Sequence, residues 1–183
     1  MKPNAPHILL LLALALAGAG CFNMPDEADF QAGMEAYAKR DFDTAMKKWK
    51  PLAENGNPSA QTNLGVMYFE GQGVRRDYAE AFKWYTMAAM KGYAEAEYNV
   101  GLAHAQGKGT DQNFREAYRW YQLAASRGYL PAQIAFAEMN YRGQGVAVNY
   151  EEAARWYGEA AQQGHSAAAY IVGTMYEIGR AHV

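Results

Sequence analysis

The sequence predicts an all-α protein, a right-handed α-solenoid of antiparallel helix pairs, on three observations. A period of 36 residues relates Ala60, Ala96, Ala132 and Ala168, and Gly56, Gly92, Gly128 and Gly164. The same step relates Trp84-Tyr85, Trp120-Tyr121 and Trp156-Tyr157, and self-similarity at such a period is the signature of stacked repeats. Each period also carries stop and start signals. The pairs Gly71/Gly73, Gly107/Gly109 and Gly143/Gly145 end one helix. Asp77, Asn113 and Asn149 open the next, with Glu80, Glu116 and Glu152 three residues on in the manner of a capping box. Finally, Ala81, Trp84, Tyr85, Ala88 and Ala89 fall at helical spacing into one apolar stripe.

Before the repeats comes an export signal. Residues 1–20 combine Lys2, an apolar run from Ile8 to Ala17 and a small-residue stretch. The run is about half of the roughly 20 residues that a membrane-crossing helix needs. Two cleavage readings are open. Leu16-Ala17-Gly18-Ala19-Gly20-Cys21 resembles a bacterial lipobox, which would leave Cys21 lipidated. It departs from that pattern in Gly18, where leucine is typical. Ala17-Gly18-Ala19 equally fits an ordinary A-x-A cut. The position of Cys21, the single cysteine of the chain, at the end of the run favours lipidation. Phe22 follows it in place of aspartate, so resemblance to lipoproteins implies a periplasm-facing outer-membrane anchor. A soluble periplasmic or secreted protein is the alternative.

The elements then follow in order. Residues 21–26 are a linker, and 27–57 a divergent unit in which Asp41-Phe42 stands 36 before Asp77-Tyr78. Trp49 lies near the tryptophan position, but Gly33 is only 32 before Gly65, so the loop is four residues shorter. Atypical terminal repeats are common in such arrays. Three full units occupy 58–93, 94–129 and 130–165, and Pro131 sits near the first turn of its helix. The recurring tryptophans read as core packing rather than a carbohydrate-stacking ladder, because they recur inside the buried stripe.

Residues 166–183 begin a fourth unit with Val172-Gly173 and Tyr176 in register. Residues 178–183, Ile-Gly-Arg-Ala-His-Val, coincide with one reading frame of a common short-read sequencing adapter. The expectation is a truncated fourth repeat fused to adapter-encoded residues, with a second helix to follow in the natural protein.

These residues resemble the Sel-one-like repeat family, a branch of the tetratricopeptide superfamily. The resemblance rests on Ala60-Gln61-Thr62-Asn63-Leu64-Gly65, Tyr68, Gly71-x-Gly73-Val74, Asp77-Tyr78, Ala81, Trp84-Tyr85, Ala88-Ala89 and Gly92. It is strong over 58–183 and general over 27–57. Ala137 replaces the first-helix glycine, and His104 and Asn140 replace the tyrosine. Cysteine-rich relatives associated with penicillin binding carry paired cysteines, which this chain lacks.

Composition narrows the function. Half of the 183 residues are hydrophobic and a fifth charged, a folded composition. A formal charge of −2 with interspersed signs gives no basic stripe for nucleic acid. One cysteine excludes an internal disulfide or a multi-thiolate metal site. No H-E-x-x-H, Walker, G-x-S-x-G or dinucleotide motif occurs. The adjacent acids Glu151-Glu152 and Asp26-Glu27 stand at helix starts, where the helix dipole favours them. No catalytic residue, metal or cofactor is therefore expected.

What remains is surface, and the resemblance implies that the first helices line a concave face. Matching positions are Asn63, Val66 and Glu70, then Asn99, Leu102 and Gln106, then Glu138 and Arg142. In relatives an asparagine before the Leu-Gly step grips a peptide backbone, which points to Asn63 and Asn99. Arg142 is the one strong candidate for holding a carboxylate. The expected function is a non-enzymatic, periplasm-facing scaffold that binds a protein or peptide. Membrane contact would come through Cys21, and the setting implied by relatives is envelope or polysaccharide-export assembly. The alternative is an envelope hydrolase acting on peptidoglycan or β-lactam antibiotics.

Overall fold

The computed structural model describes residues 24–179, which hold nine α-helices and no strand. They are α1 (Met24–Ala38), α2 (Phe42–Glu54), α3 (Pro58–Glu70), α4 (Tyr78–Ala89), α5 (Ala94–Gln106), α6 (Phe114–Ser126), α7 (Leu130–Arg142), α8 (Tyr150–Gln162) and α9 (Ser166–Glu177). Each helix packs chiefly on its neighbours in the chain, the arrangement of an α-solenoid. The export signal, Cys21 and the end of the adapter-like stretch lie outside the described residues. Helix α1 starts at Met24, inside the stretch expected to be linker.

Helix starts are set by the side chains the period singles out. Asp77 accepts hydrogen bonds from the amides of Ala79 and Glu80, Asn113 from Arg115 and Glu116, and Asn149 from Glu152. The reciprocal half of a capping box is not made. The amides of Asp77, Asn113 and Asn149 donate instead to carbonyls of Tyr68, His104 and Asn140 in the preceding helix, at 2.9 Å each. Glu80, Glu116 and Glu152 are thereby released to pair one turn on with Lys83, Arg119 and Arg155. The cap therefore closes the hairpin as well as the helix.

In the loops the two glycines do different jobs. Gly71, Gly107 and Gly143 terminate helices in the left-handed conformation. The second glycine allows close approach. A Cβ on Gly109 would lie 2.0 Å from the Tyr78 carbonyl oxygen, and one on Gly145 2.3 Å from that of Phe114. Each loop thus lies directly on the start of the preceding second helix.

The core repeats one contact, an aromatic ring laid across a glycine of the partner helix. A Cβ on Gly65 would stand 2.4 Å from the Tyr85 ring, and one on Gly101 2.7 Å from that of Tyr121. On Gly33 it would stand 2.3 Å from Trp49. Trp49 therefore occupies the tyrosine position, 36 residues before Tyr85. The tryptophan position in that unit is Lys48, which pairs with Asp29 at 2.7 Å.

Nor are the three tryptophans equally buried. Trp84 and Trp156 are buried, but Trp120 is partly exposed. The side chains standing opposite at one period are Leu64, Val100 and Phe136. Valine is the smallest of the three and Trp120 the most exposed of the indoles, whereas Phe136 meets Trp156 edge-on at 5.5 Å.

A polar tie at the helix ends was not read from the sequence. Gln61, Glu97 and Gln133, one period apart, are all buried. Gln61 donates to the Ala53 carbonyl at 2.9 Å. Glu97 takes the Arg127 guanidinium at 3.0 Å, and Gln133 accepts from Gln163 at 2.8 Å. Buried charge persists where it is paired, and here the pair ties the first turn of α5 to the end of α6. Lys91 donates to the Gly56 carbonyl in the equivalent place. The signal was available as polar residues recurring at 36 in otherwise small-residue helix starts.

Candidate partner-binding face

The first helices of the hairpins, α3, α5 and α7, carry the residues singled out for binding. Asn63, Val66, Asn99, Leu102 and Glu138 are half-buried, while Glu70, Gln106 and Arg142 are exposed. Helical geometry sets residues three, four and seven apart on one face. Asn99, Leu102 and Gln106 therefore form one stripe on α5. Its upward continuation through the same spacing is Glu95 and Tyr98, which motif reading passed over.

Side-chain partners divide these residues. The Asn63 amide points back to the preceding hairpin, donating to the Met34 sulfur at 3.6 Å. That is a weak bond, readily exchanged for a stronger acceptor. Val66 and Leu102 pack their inner sides on the apolar clusters beneath. Arg142 is committed within its own helix, its guanidinium 2.7 Å from Glu138. An exposed pair of this kind contributes a few tenths of a kcal/mol (about 0.3–0.5), but it neutralises the cation expected to hold a carboxylate.

A tyrosine cluster underlies the middle of the stripe. The Tyr98 ring stands 5.5 Å from those of both Tyr121 and Tyr129. Burial pushes the phenols of Tyr85, Tyr121 and Tyr129 far up, so all are neutral hydroxyls near neutral pH. Tyr157, in the next hairpin, is pushed up to about 12 by burial and by the charge of Glu138. After burial, the charge of Glu95 contributes to the upward shift of both Tyr85 and Tyr129. Burial raises the Glu95 carboxyl itself. No hydrogen bond or ion pair joins that carboxylate to any described residue.

Chemistry of other kinds is sparse among the described residues. No group of three or more metal-ligating side chains occurs, and no helix is long and apolar enough to cross a membrane. His165 caps α9 by accepting from the Ala168 amide at 3.1 Å, and His104 lies edge-on to Phe82 at 5.3 Å. The hydroxyls of Thr62, Thr86, Ser126 and Thr174 donate to carbonyls of their own helices, and that of Ser59 to Tyr93. None of these hydroxyls is hydrogen-bonded to a histidine or a carboxylate, as a nucleophile–base pair requires. Glu152 is held below the usual carboxylate range by Arg155, against its own burial, with help from Trp156.

A family model described as Sel1 repeat matches residues 58–93, 94–129 and 130–165. Among curated proteins none matches. A Sel1 repeat protein from Oxalobacter formigenes superposes with a TM-score of 0.79 at 33% identity, covering 82% of this chain and 62% of the other. The protective antigen c5321 of uropathogenic Escherichia coli, which displays an SLR fold, gives a TM-score of 0.80 at 33% identity over 84% of this chain. This chain spans 62% and 34% of the lengths of those two proteins. Helicobacter pylori cysteine rich protein B aligns at 18% identity with a TM-score of 0.58, over 72% of this chain and 94% of its own. That likeness is one of fold alone.

Proposed function

This chain belongs to the Sel1 repeat family, and from that premise we propose that it is a periplasm-facing adaptor, lipid-anchored at Cys21, that holds a protein segment on its first-helix face. The Sel1 repeat fold is of the protein-interaction scaffold type. One observation carries the reading to particular residues. The half-buried stripes of α3 and α5 repeat an amide beside an apolar side chain, Asn63 with Val66 and Asn99 with Leu102. Amides one period apart can bond an extended backbone at intervals, while the apolar side chains supply contact area. Assembly of an envelope or polysaccharide-export complex is the proposed setting. The stretch ending at Cys21 supports the envelope side through its likeness to a lipobox.

The test is capture from envelope extract with the protein purified from membranes. Asn63→Ala combined with Asn99→Ala should weaken capture of its partner at least about tenfold, the effect of losing two hydrogen bonds of about 1 kcal/mol each. The helical circular dichroism and melting temperature should stay unchanged. Palmitate labelling that Cys21→Ser abolishes should accompany it. Capture unaffected by the double substitution would overturn the binding face. A soluble, unlabelled wild type would overturn the anchor.

A further inference from the structure

We propose, on the premise that the first-helix face binds a protein segment, that Glu95, Tyr98 and Tyr129 form a seat for one cationic side chain, a lysine or arginine, of that segment. The inference begins with a comparison inside the molecule. Residues 59 and 93 are each one period before 95 and 129. In that earlier place the Ser59 hydroxyl and the Tyr93 phenol close on one another at 3.2 Å. In the middle hairpin serine has become glutamate, and the contact does not close. Glu95 is half-buried in the first turn of α5, three residues before Tyr98, and has no hydrogen bond or ion pair to a described residue.

A helix start accounts for an acid in the first turn of α5, because the dipole favours it. It does not account for an unpaired one among aromatic rings. Glu97, in the same turn, shows how this fold treats a buried acid when the need is internal, by giving it Arg127. Glu95 is half-buried and unpaired, so an arriving cation would find a partly desolvated carboxylate free to pair. The surroundings suit a cation as well. Tyr98 and Tyr129 are half-buried with rings 5.5 Å apart, and faces of tyrosine attract ammonium and guanidinium groups. Along the first-helix face Glu138 and Arg142 pair with one another, which leaves the negative charges of Glu70 and Glu95. A basic segment therefore complements this face, whereas an acidic one meets unopposed carboxylates.

Three labelled decapeptides alternating glycine with lysine, Nε-acetyl-lysine or glutamate provide the probes, titrated against the full chain at low ionic strength. The lysine peptide should bind, and neither of the others should. Glu95→Gln should weaken it by about tenfold or more, as for loss of one partner of a desolvated charge pair. Tyr129→Phe, which keeps the ring face, should bind as the wild type does, and Tyr129→Leu should not. Glu95→Gln should melt close to the wild type, since Glu95 holds no described partner in the fold. No binding of the lysine peptide, or equal binding to Glu95→Gln, overturns the seat. If capture still depends on Asn63 and Asn99 but not on Glu95, the seat alone falls. If the lysine peptide binds through Glu95 while the asparagine variant captures normally, the adaptor face falls and the seat stands.

Discussion

In the first hairpin, α1 and α2 close through Trp49 lying on Gly33, across three linking residues. In the second, α3 and α4 close through Tyr85 on Gly65, across seven. The two differ in loop length, loop glycines and ring, yet both bring a buried ring onto a glycine of the partner helix. The larger indole also takes up the neighbouring work. It donates to the Phe30 carbonyl at 3.2 Å and packs on Tyr37, so the next position back is free to be Lys48. In the second hairpin that position is Trp84, and the load is shared between two rings. What these two hairpins share is a ring over a glycine; the turn and the second ring adapt around it.

The sharpest way to break this equivalence is to empty the ring sites. Trp49 is 1% exposed, with Lys48 rather than a second ring beside it in α2, so Trp49→Ala should cost about 3–5 kcal/mol, the range for large aromatic truncation in a core. Trp120, partly exposed and supported by Tyr121, should cost less on truncation, about 1.5–3 kcal/mol, the worth of burying one large apolar side chain. Urea unfolding followed by circular dichroism measures both. Equal losses would mean that the single indole of the first hairpin does not replace two rings.

The other half of the contact is the glycine. Gly65→Ala pushes a methyl into the Tyr85 ring, and overpacking of this kind costs about 1–3 kcal/mol. The fourth hairpin indicates the lower end, because Ala137 stands in register there while Tyr157 stays buried. The ring can retreat. Gly173, one period further on, has nothing within 4 Å of a built Cβ. Gly173→Ala should therefore stabilise by about 0.5–1 kcal/mol, the helix preference of alanine over glycine. Melting temperatures that move in the same direction for both would remove the ring from the account.

Sequence periodicity reveals what is repeated and hides what is exchanged. The caps at Asp77, Asn113 and Asn149 and the helix-ending glycines could be read because their chemistry is local. Trp49 was aligned with the tryptophans because residue type is easier to see than register across a shortened loop. The polar tie through Glu97 and Arg127 escaped notice because its partners lie 30 residues apart in the chain and differ in type between repeats. Glu95 escaped because an acid in a first turn already has a local explanation. Its lack of a partner is a property of three dimensions. For Asn63, Asn99 and Arg142 the sequence could place a face, but not show that Arg142 is occupied by Glu138.

The smallest predicted effects concern how helices end, where the first hairpin again departs from the others. Arg40 has φ 62°, in the left-handed region, while the Asp41 amide donates to Ala36 and the Arg40 amide to Tyr37, both at 2.9 Å. The same paired bonds close α6, with Gly128 at φ 82° in Arg40's role. An L-residue in that conformation costs about 1–2 kcal/mol, and glycine loses about 0.5–1 kcal/mol more than alanine through its freer unfolded chain. Arg40→Gly should therefore stabilise by a net of about 0.5–1 kcal/mol. Gly128 has no atom within 4 Å of a built Cβ, so Gly128→Ala tests conformation without packing. It should destabilise by a similar amount. Thermal melts of the two variants ought to shift oppositely by a few degrees. A loss of stability in Arg40→Gly would mean that the arginine side chain, rather than backbone geometry, holds the short turn of the first hairpin.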